Sequence, residues 1–313
     1  MNFEFTTLGC ASALPTVNRY PSAHVLNIHE RLFLIDCGEG CQMQMRRYGF
    51  SFMKIQNIFI SHLHGDHLFG LWGLLSTMSL IGRKESLYIY APPGFEDILK
   101  SILHFFGGSF LFQVVHVPLD TSGMNHIFES KSVDVYSFPL NHRVDCCGFL
   151  FREKMPRRNV FKHLIEPYAL SLYEIARLKE GEDITRPDGE VLYSDNLTYQ
   201  PYEPRSFAYC SDTAPFEKLK EYVHGCDMIY HEATFATDMK KMAARTMHST
   251  ASDAARTALN ANAGKLLLGH YSSRYKDINV LLDEAKQIFM NTFVTSEGQS
   301  FVVELKRFRK DGV

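Results

Sequence analysis

The run IQNIFIS, residues 55–61, is rich in β-branched and aromatic side chains and reads as a buried strand. It continues without a break into His62, His64, Asp66 and His67, after which LFGLWGLLSTMSLIG turns apolar again and reads as a helix. A buried strand that ends in four ligand-type side chains and hands over to a helix belongs to a layered α/β fold with its chemistry at the strand ends. His62 and His64 stand two apart, so an extended backbone sends both to one side. The loop can offer two imidazoles to one metal ion, and the carboxylate of Asp66 with the imidazole of His67 to a second. These donors suit Zn2+, and Mn2+ or Fe2+ as well. A lone histidine would say little, but four donors spaced HxHxDH between a strand and a helix are a specific signal.

Two metals need more ligands than one loop supplies, and other strand ends carry candidates. His142 follows VDVYSFPLN, Asp212 follows SFAYCS, and His270 follows AGKLLLG. Asp212 is suited to bridge two ions, because a carboxylate has two oxygens. His24, His29, His104, His116, His126, His163 and His224 lack ligand-type neighbours and read as structural or exposed.

Elsewhere the pattern alternates strands and helices. HVLNI and RLFLIDCG flank a short turn at His29 and Glu30, a hairpin pattern. EGCQMQMRRYG reads as a short helix closed by Gly49. SLYIYAPP reads as a strand, and helices are expected over 95–107, 215–224, 249–262 and 277–290. Further strands are expected in CDMIYHEATF and QSFVVELKRF. Between them, residues 151–205 change texture: a basic run with Arg157, Arg158 and Lys162 is followed by segments rich in charge and turn residues. The expected organisation is one domain over 1–313 with 151–205 as an inserted, protruding arm. Two facing halves give an α/β fold of four layers, αββα.

Composition removes some classes of function. Of 313 residues 45% are hydrophobic and 22% charged, which is globular rather than disordered. The net charge of −2 supplies no global field for nucleic acid, so a polyanion site must be a local patch or a metal centre. No run approaches the length of a membrane span, no secretory signal opens the chain, and the seven cysteines form no CxxC pair. A cytoplasmic protein with reduced thiols is expected.

The motifs SHLHGDH at 61–67, His142, SDT at 211–213, HEATF at 231–235, HST at 248–250 and GHYSSRY at 269–275 resemble the metallo-β-lactamase superfamily and, more closely, the ribonuclease Z family. The resemblance covers nearly the whole chain. It implies an αββα metallo-β-lactamase sandwich, two Zn2+ ions per chain, a homodimer, and removal of the 3′ trailer from precursor tRNA. It implies one metal on His62, His64 and His142, the other on Asp66, His67 and His270, with Asp212 shared. In that mechanism Asp66 orients the attacking water or takes its proton. His248 protonates the ribose 3′-oxygen that leaves, and Glu232 holds His248. Where the family carries a PTKxRN-like loop this chain has PTVNRY, residues 15–20, so Arg19 is the expected RNA contact there. Arg157, Arg158 and Lys162 are the expected contacts of the arm. The competing functions are a phosphodiesterase or arylsulfatase-like hydrolase of small substrates on the same fold, and an RNA-binding module with a relic metal site.

Overall fold

The computed structural model describes residues 2–105 and 110–307. Two compact units divide the described residues: 2–105, 110–151 and 206–303 in one, and 152–205 with 304–307 in the other.

The larger unit is built on two seven-stranded sheets. The first contains β1 (Phe3–Gly9), β2 (Ala23–Ile28), β3 (Arg31–Cys37), β4 (Ile55–Phe59), β5 (Leu87–Ala91) and β6 (Val114–Pro118) in spatial order, with the last strand of the chain beside β1. The second begins with β7 (Asn125–Glu129), β8 (Val133–Pro139) and β9 (Cys147–Glu153). It continues through β10 (Ser206–Cys210), β11 (Met228–Glu232), β12 (Leu266–Gly269) and β13 (Thr292–Val294). The closing strand of the first sheet is β14 (Ser300–Val302). The β2–β3 hairpin turns on His29 and Glu30 at φ 51° and 65°, the left-handed pair that a two-residue hairpin turn demands.

Strands β3 to β6 run parallel, as do β10 to β13. In such a sheet the loops leaving the carboxyl ends of the strands gather on one edge, where open α/β sheets place their ligands. Phenylalanines and tyrosines from both sheets, among them Phe5, Phe33, Phe59, Phe149, Phe207 and Tyr230, are fully buried together between them. Helices α1 (Cys41–Arg47), α2 (Gly65–Leu68), α3 (Gly70–Leu80) and α4 (Phe95–Phe105) follow the first-sheet strands, and the apolar side of α3 packs on that sheet's outer face. Four layers, αββα, result, which is the metallo-β-lactamase architecture.

The helix expected over 95–107 runs to Phe105, and residues 106–107 lie outside the described residues. The helix expected over 215–224 shrinks to Leu219–Tyr222, since Pro215 stands at its start and Gly225 at φ 67° ends it. Strands β6, β7 and β9 were not anticipated. Strand β9 is buried at six of its seven positions, so it lacks the alternation that betrays a strand.

The smaller unit has its own apolar cluster of Val160, Leu170, Leu178, Ile184, Leu192 and Leu197. Glu153 and Arg205, both buried, close it with Nε–Oε2 and Nη2–Oε1 contacts of 2.9 and 2.7 Å. Its helix α5 (Leu172–Lys179) opens on a capping box in which Ser171 accepts from Glu174 N and Glu174 accepts from Ser171 N. Ser171→Ala is expected to cost about 1 kcal/mol of local stability. Native-state hydrogen exchange over 171–179 measures this, and unchanged protection would show that the cap contributes nothing.

Candidate metal centre

The loop after β4 delivers His62, His64, Asp66 and His67 as expected. His142 follows β8, Asp212 follows β10 and His270 follows β12, and all seven side chains meet. Their ligand atoms form two groups sharing one member: His62, His64, His142 and Asp212, and Asp66, His67, His270 and Asp212. Within each group the atoms lie within 4.8 Å of one another. The two oxygens of Asp212 face different groups. Oδ2 is 3.6 Å from His62 Nε2 and 3.9 Å from His142 Nε2, whereas Oδ1 is 3.4 Å from His67 Nε2 and 3.1 Å from His270 Nε2.

Hydrogen bonds behind the cluster set the tautomers, and most of these partners were not anticipated from sequence. Asp36, fully buried at the end of β3, accepts from Ser61 N, Ser61 Oγ, Tyr209 OH and His67 Nδ1 at 2.7–2.9 Å. With the Ser61 hydroxyl hydrogen committed to Asp36, His62 Nδ1 is the donor in its 3.0 Å contact with Ser61 Oγ. The Thr234 hydroxyl likewise donates to Glu232 and accepts from His270 Nδ1 at 2.9 Å. His142 Nδ1 donates to the Met247 carbonyl at 2.9 Å. Four imidazoles therefore carry Nδ1–H outward and turn Nε2 into the cluster, the atom at which a metal ion would take the place of a proton.

Ring nitrogens crowd there. His62 Nε2 and His64 Nδ1 are 3.0 Å apart, His67 Nε2 and His270 Nε2 are 3.3 Å apart, and among the described residues the buried Asp212 Oδ1 has no hydrogen-bond partner. Burial opposes charge on His67, but Asp212, Asp66 and Asp36 outweigh it and raise the imidazole well above its usual range. Burial would also raise Asp66 and Asp212, yet the surrounding histidines hold both carboxyls below the usual carboxylate range. The site thus demands positive charge at its centre, and the donor set fits divalent cations.

Backbone strain collects at the same place. Asp36, Met247 and His270 have φ of 54°, 59° and 60°, a region that non-glycine residues rarely adopt. Gly70 allows a close approach: a Cβ there would sit 2.0 Å from the Gly38 carbonyl oxygen, pushing the metal loop off β3.

Beside the cluster lies an acid–base pair. Glu232, fully buried at the end of β11, takes His248 Nδ1 at 3.0 Å and also accepts from the backbone N–H groups of Thr213, Ser249 and Thr234. Burial disfavours the charged imidazole, but Glu232 dominates and raises His248 to about 9. His231, on the opposite face of β11, is buried and donates through Nδ1 to the Glu232 carbonyl. The cluster opens into a cleft of about 690 Å³ lined by His64, Asp66, Phe69, Arg143, Thr246 and His248, among others. His24 is buried as expected of a structural histidine, stacked on Phe5, although neither ring nitrogen has a hydrogen-bond partner among the described residues.

Among the expected RNA contacts, Arg19 donates from Nη1 and Nη2 to the carbonyls of Tyr275 and Lys276, fixing the PTVNRY loop. Arg157 pairs with Glu180 at 3.0 Å and Arg158 with Asp195 at 2.7 Å, and Lys162 is exposed.

Comparison with known proteins agrees with this geometry. Residues 195–271 match the β-lactamase superfamily domain, and residues 3–105 match the model described as anti-Pycsar protein Apyc1. The chain is 43% identical to ribonuclease Z of Bacteroides fragilis (strain YCH46), covering 94% of this chain and 97% of that one. Identity to ribonuclease Z of Cytophaga hutchinsonii is 46%, covering 97% of each. The crystal structure of the short form of human tRNase Z superposes with a TM-score of 0.69 at 23% identity, over 96% of this chain and 99% of that one.

Proposed function

The chain belongs to the ribonuclease Z family of metallo-β-lactamase-fold endoribonucleases, and from that premise we propose that it removes the 3′ trailer from precursor tRNA, leaving a 3′-hydroxyl on the tRNA. The observation that carries this reading is the Glu232–His248 pair beside the ligand cluster. A hydrolase acting on a good leaving group needs no such acid, but a ribose 3′-oxygen leaves poorly and must be protonated.

Two Zn2+ ions, or Mn2+ or Fe2+, held by His62, His64 and His142 and by Asp66, His67 and His270, with Asp212 bridging, would activate water and offset charge on the phosphoryl oxygens. The protein's own groups do the rest. Asp66, at the cleft wall, orients the attacking water or takes its proton. His248 is bound through Nδ1 to Glu232, so Nε2–H is the atom left to donate to the 3′-oxygen. A value of about 9 keeps that proton in place at neutral pH. Glu232 keeps the ring in register and its carboxylate sustains the charge.

Supplying purified protein with a precursor tRNA and mapping the products tests the reading. A mature-length tRNA ending in a 3′-hydroxyl is expected. Intact RNA alongside hydrolysis of a bare aryl phosphodiester would instead favour the small-substrate hydrolase.

The arm supplies remote binding in this reading, through Arg157, Arg158 and Lys162. Exposed ion pairs are worth about 0–1 kcal/mol, so RNA phosphates can take the place of Glu180 and Asp195. Neutralising all three residues is expected to weaken precursor cleavage severalfold and flatten its salt dependence. Hydrolysis of an aryl phosphodiester should stay within about twofold. An unchanged salt slope would remove the arm from RNA binding. Arg19 acts indirectly, by holding the loop that brings Pro15 to the cleft wall. The family resemblance brings with it a homodimer, and the unpaired cysteines suit a cytoplasmic location, which light scattering and cell fractionation test. No helix among the described residues is long and apolar enough to cross a membrane.

A further inference from the structure

A helix not anticipated from sequence, α6 (Lys240–Thr246), leads directly into the acid His248. Its sequence, KKMAART, contains three cations and no acid, and Lys240, Lys241 and Arg245 are all exposed. None of the three pairs with a carboxylate among the described residues. The nearest acid in sequence, Asp238, lies in the turn before the helix.

This arrangement is unfavourable for the helix itself. Lys241 and Arg245 are four residues apart on one face, where like charges repel. Lys240 and Lys241 put positive charge in the first turn, against the helix dipole. The arm treats its cations differently, since Arg157, Arg158, Arg177 and Arg186 each meet an acid.

The carboxyl end of α6 reaches the cleft. Thr246, at the end of α6, lines it, and Met247 places its carbonyl on His142. Arg143, exposed in the loop after β8, donates to the Arg245 carbonyl and lines the cleft as well. Cations thus extend from the mouth of the cleft along α6, with Lys241 about 6 Å up the axis from Arg245.

Resting on the reading of the chain as an RNA-cleaving enzyme, we propose that the α6 face formed by Lys241 and Arg245, with Arg143 at the cleft mouth, is the surface that carries the RNA phosphates next to the scissile bond. The partner chemistry is a single-stranded polyanion. Unpaired cations release counterions when it binds, and no acid competes for them. The surface acts on binding and not on the chemical step, because His248 and the ligand cluster keep all their partners without it.

The test is the double variant Lys241→Gln with Arg245→Gln, compared with a charge-keeping pair, Lys241→Arg with Arg245→Lys. Binding of a fluorescently labelled precursor tRNA is measured by anisotropy over a salt series, and cleavage is followed in parallel. The glutamine variant should bind about tenfold more weakly at low salt, and its log K–log salt slope should be shallower by about 1.4 for two lost phosphate contacts. The charge-keeping variant should bind as the natural protein does, and aryl phosphodiester hydrolysis should stay within about twofold in both. An unchanged slope, or an equal loss on the aryl substrate, would overturn the proposal. Because binding is read separately from cleavage, a protein that binds the RNA through this face without cutting it would reject the assigned activity and leave the surface standing.

Discussion

His248→Ala is expected to lower turnover on precursor tRNA by about 10²–10⁴-fold while metal content stays at its natural level. The size follows from the leaving group. A ribose 3′-oxygen departs as an alkoxide unless a proton reaches it in the transition state, and in the proposed mechanism Nε2–H of His248 is the donor. His248 lies 3.9 Å from Asp212 Oδ2 and, although it clusters with Glu232 and His270, belongs to neither of the two four-residue groups that share Asp212, so its loss removes no proposed metal ligand. A substrate with an activated aryl leaving group needs less protonation and should lose far less rate. Equal losses on both substrates would mean that His248 positions something else. The histidine is a cleaner probe than its partner. Glu232 accepts from three backbone N–H groups and the Thr234 hydroxyl as well as from His248, so a glutamine there would set an amide N–H against existing donors and disturb the loops after β10 and β11.

What the sequence reveals and what it hides divide along a physical line. The strand, ligand loop and helix at 55–81 are legible because donor spacing and hydrophobic period are both local. His142, Asp212 and His270 are legible as donors placed just after apolar runs, and the structure brings them to the loop. Asp36, Ser61, Thr234 and Tyr209 were missed. Their roles depend on bonds made across the chain, spanning 25 positions for Ser61 and Asp36, 36 for Thr234 and His270, and 173 for Tyr209 and Asp36. Asp36 had a faint signal, a carboxylate closing the apolar run RLFLI that an ordinary buried strand would not tolerate. The basic run at 152–162 stood out for its density, yet two of its arginines meet acids supplied from Glu180 and Asp195. The run at 240–245 is shorter and less conspicuous, and keeps its cations unpaired. Density along a sequence does not report whether charge remains available after folding, because neutralising partners come from elsewhere in the fold.

Removing Asp212, the carboxylate common to both ligand groups, is expected to have the largest consequence. Seven nitrogen and oxygen donors are too many for one tetrahedral ion, so natural protein is expected to hold about two equivalents of metal. Asp212→Ala takes a donor from both groups at once. Metal content should fall to about one equivalent or less, and turnover should drop on the order of 10³-fold or more. Asp212→Asn keeps one carbonyl oxygen and exchanges the other for an amide nitrogen, which is no ligand, so it should retain about one equivalent with activity between the two. Elemental analysis after dialysis gives the count, and circular dichroism guards against misfolding. Misfolding is not expected, because the histidines are held by Asp36, Ser61, Thr234 and the Met247 carbonyl rather than by Asp212. That separation makes the test decisive. If natural protein saturates at one equivalent with full activity, or if Asp212→Ala keeps two, the dinuclear assignment fails even though every ring nitrogen remains where the structure places it.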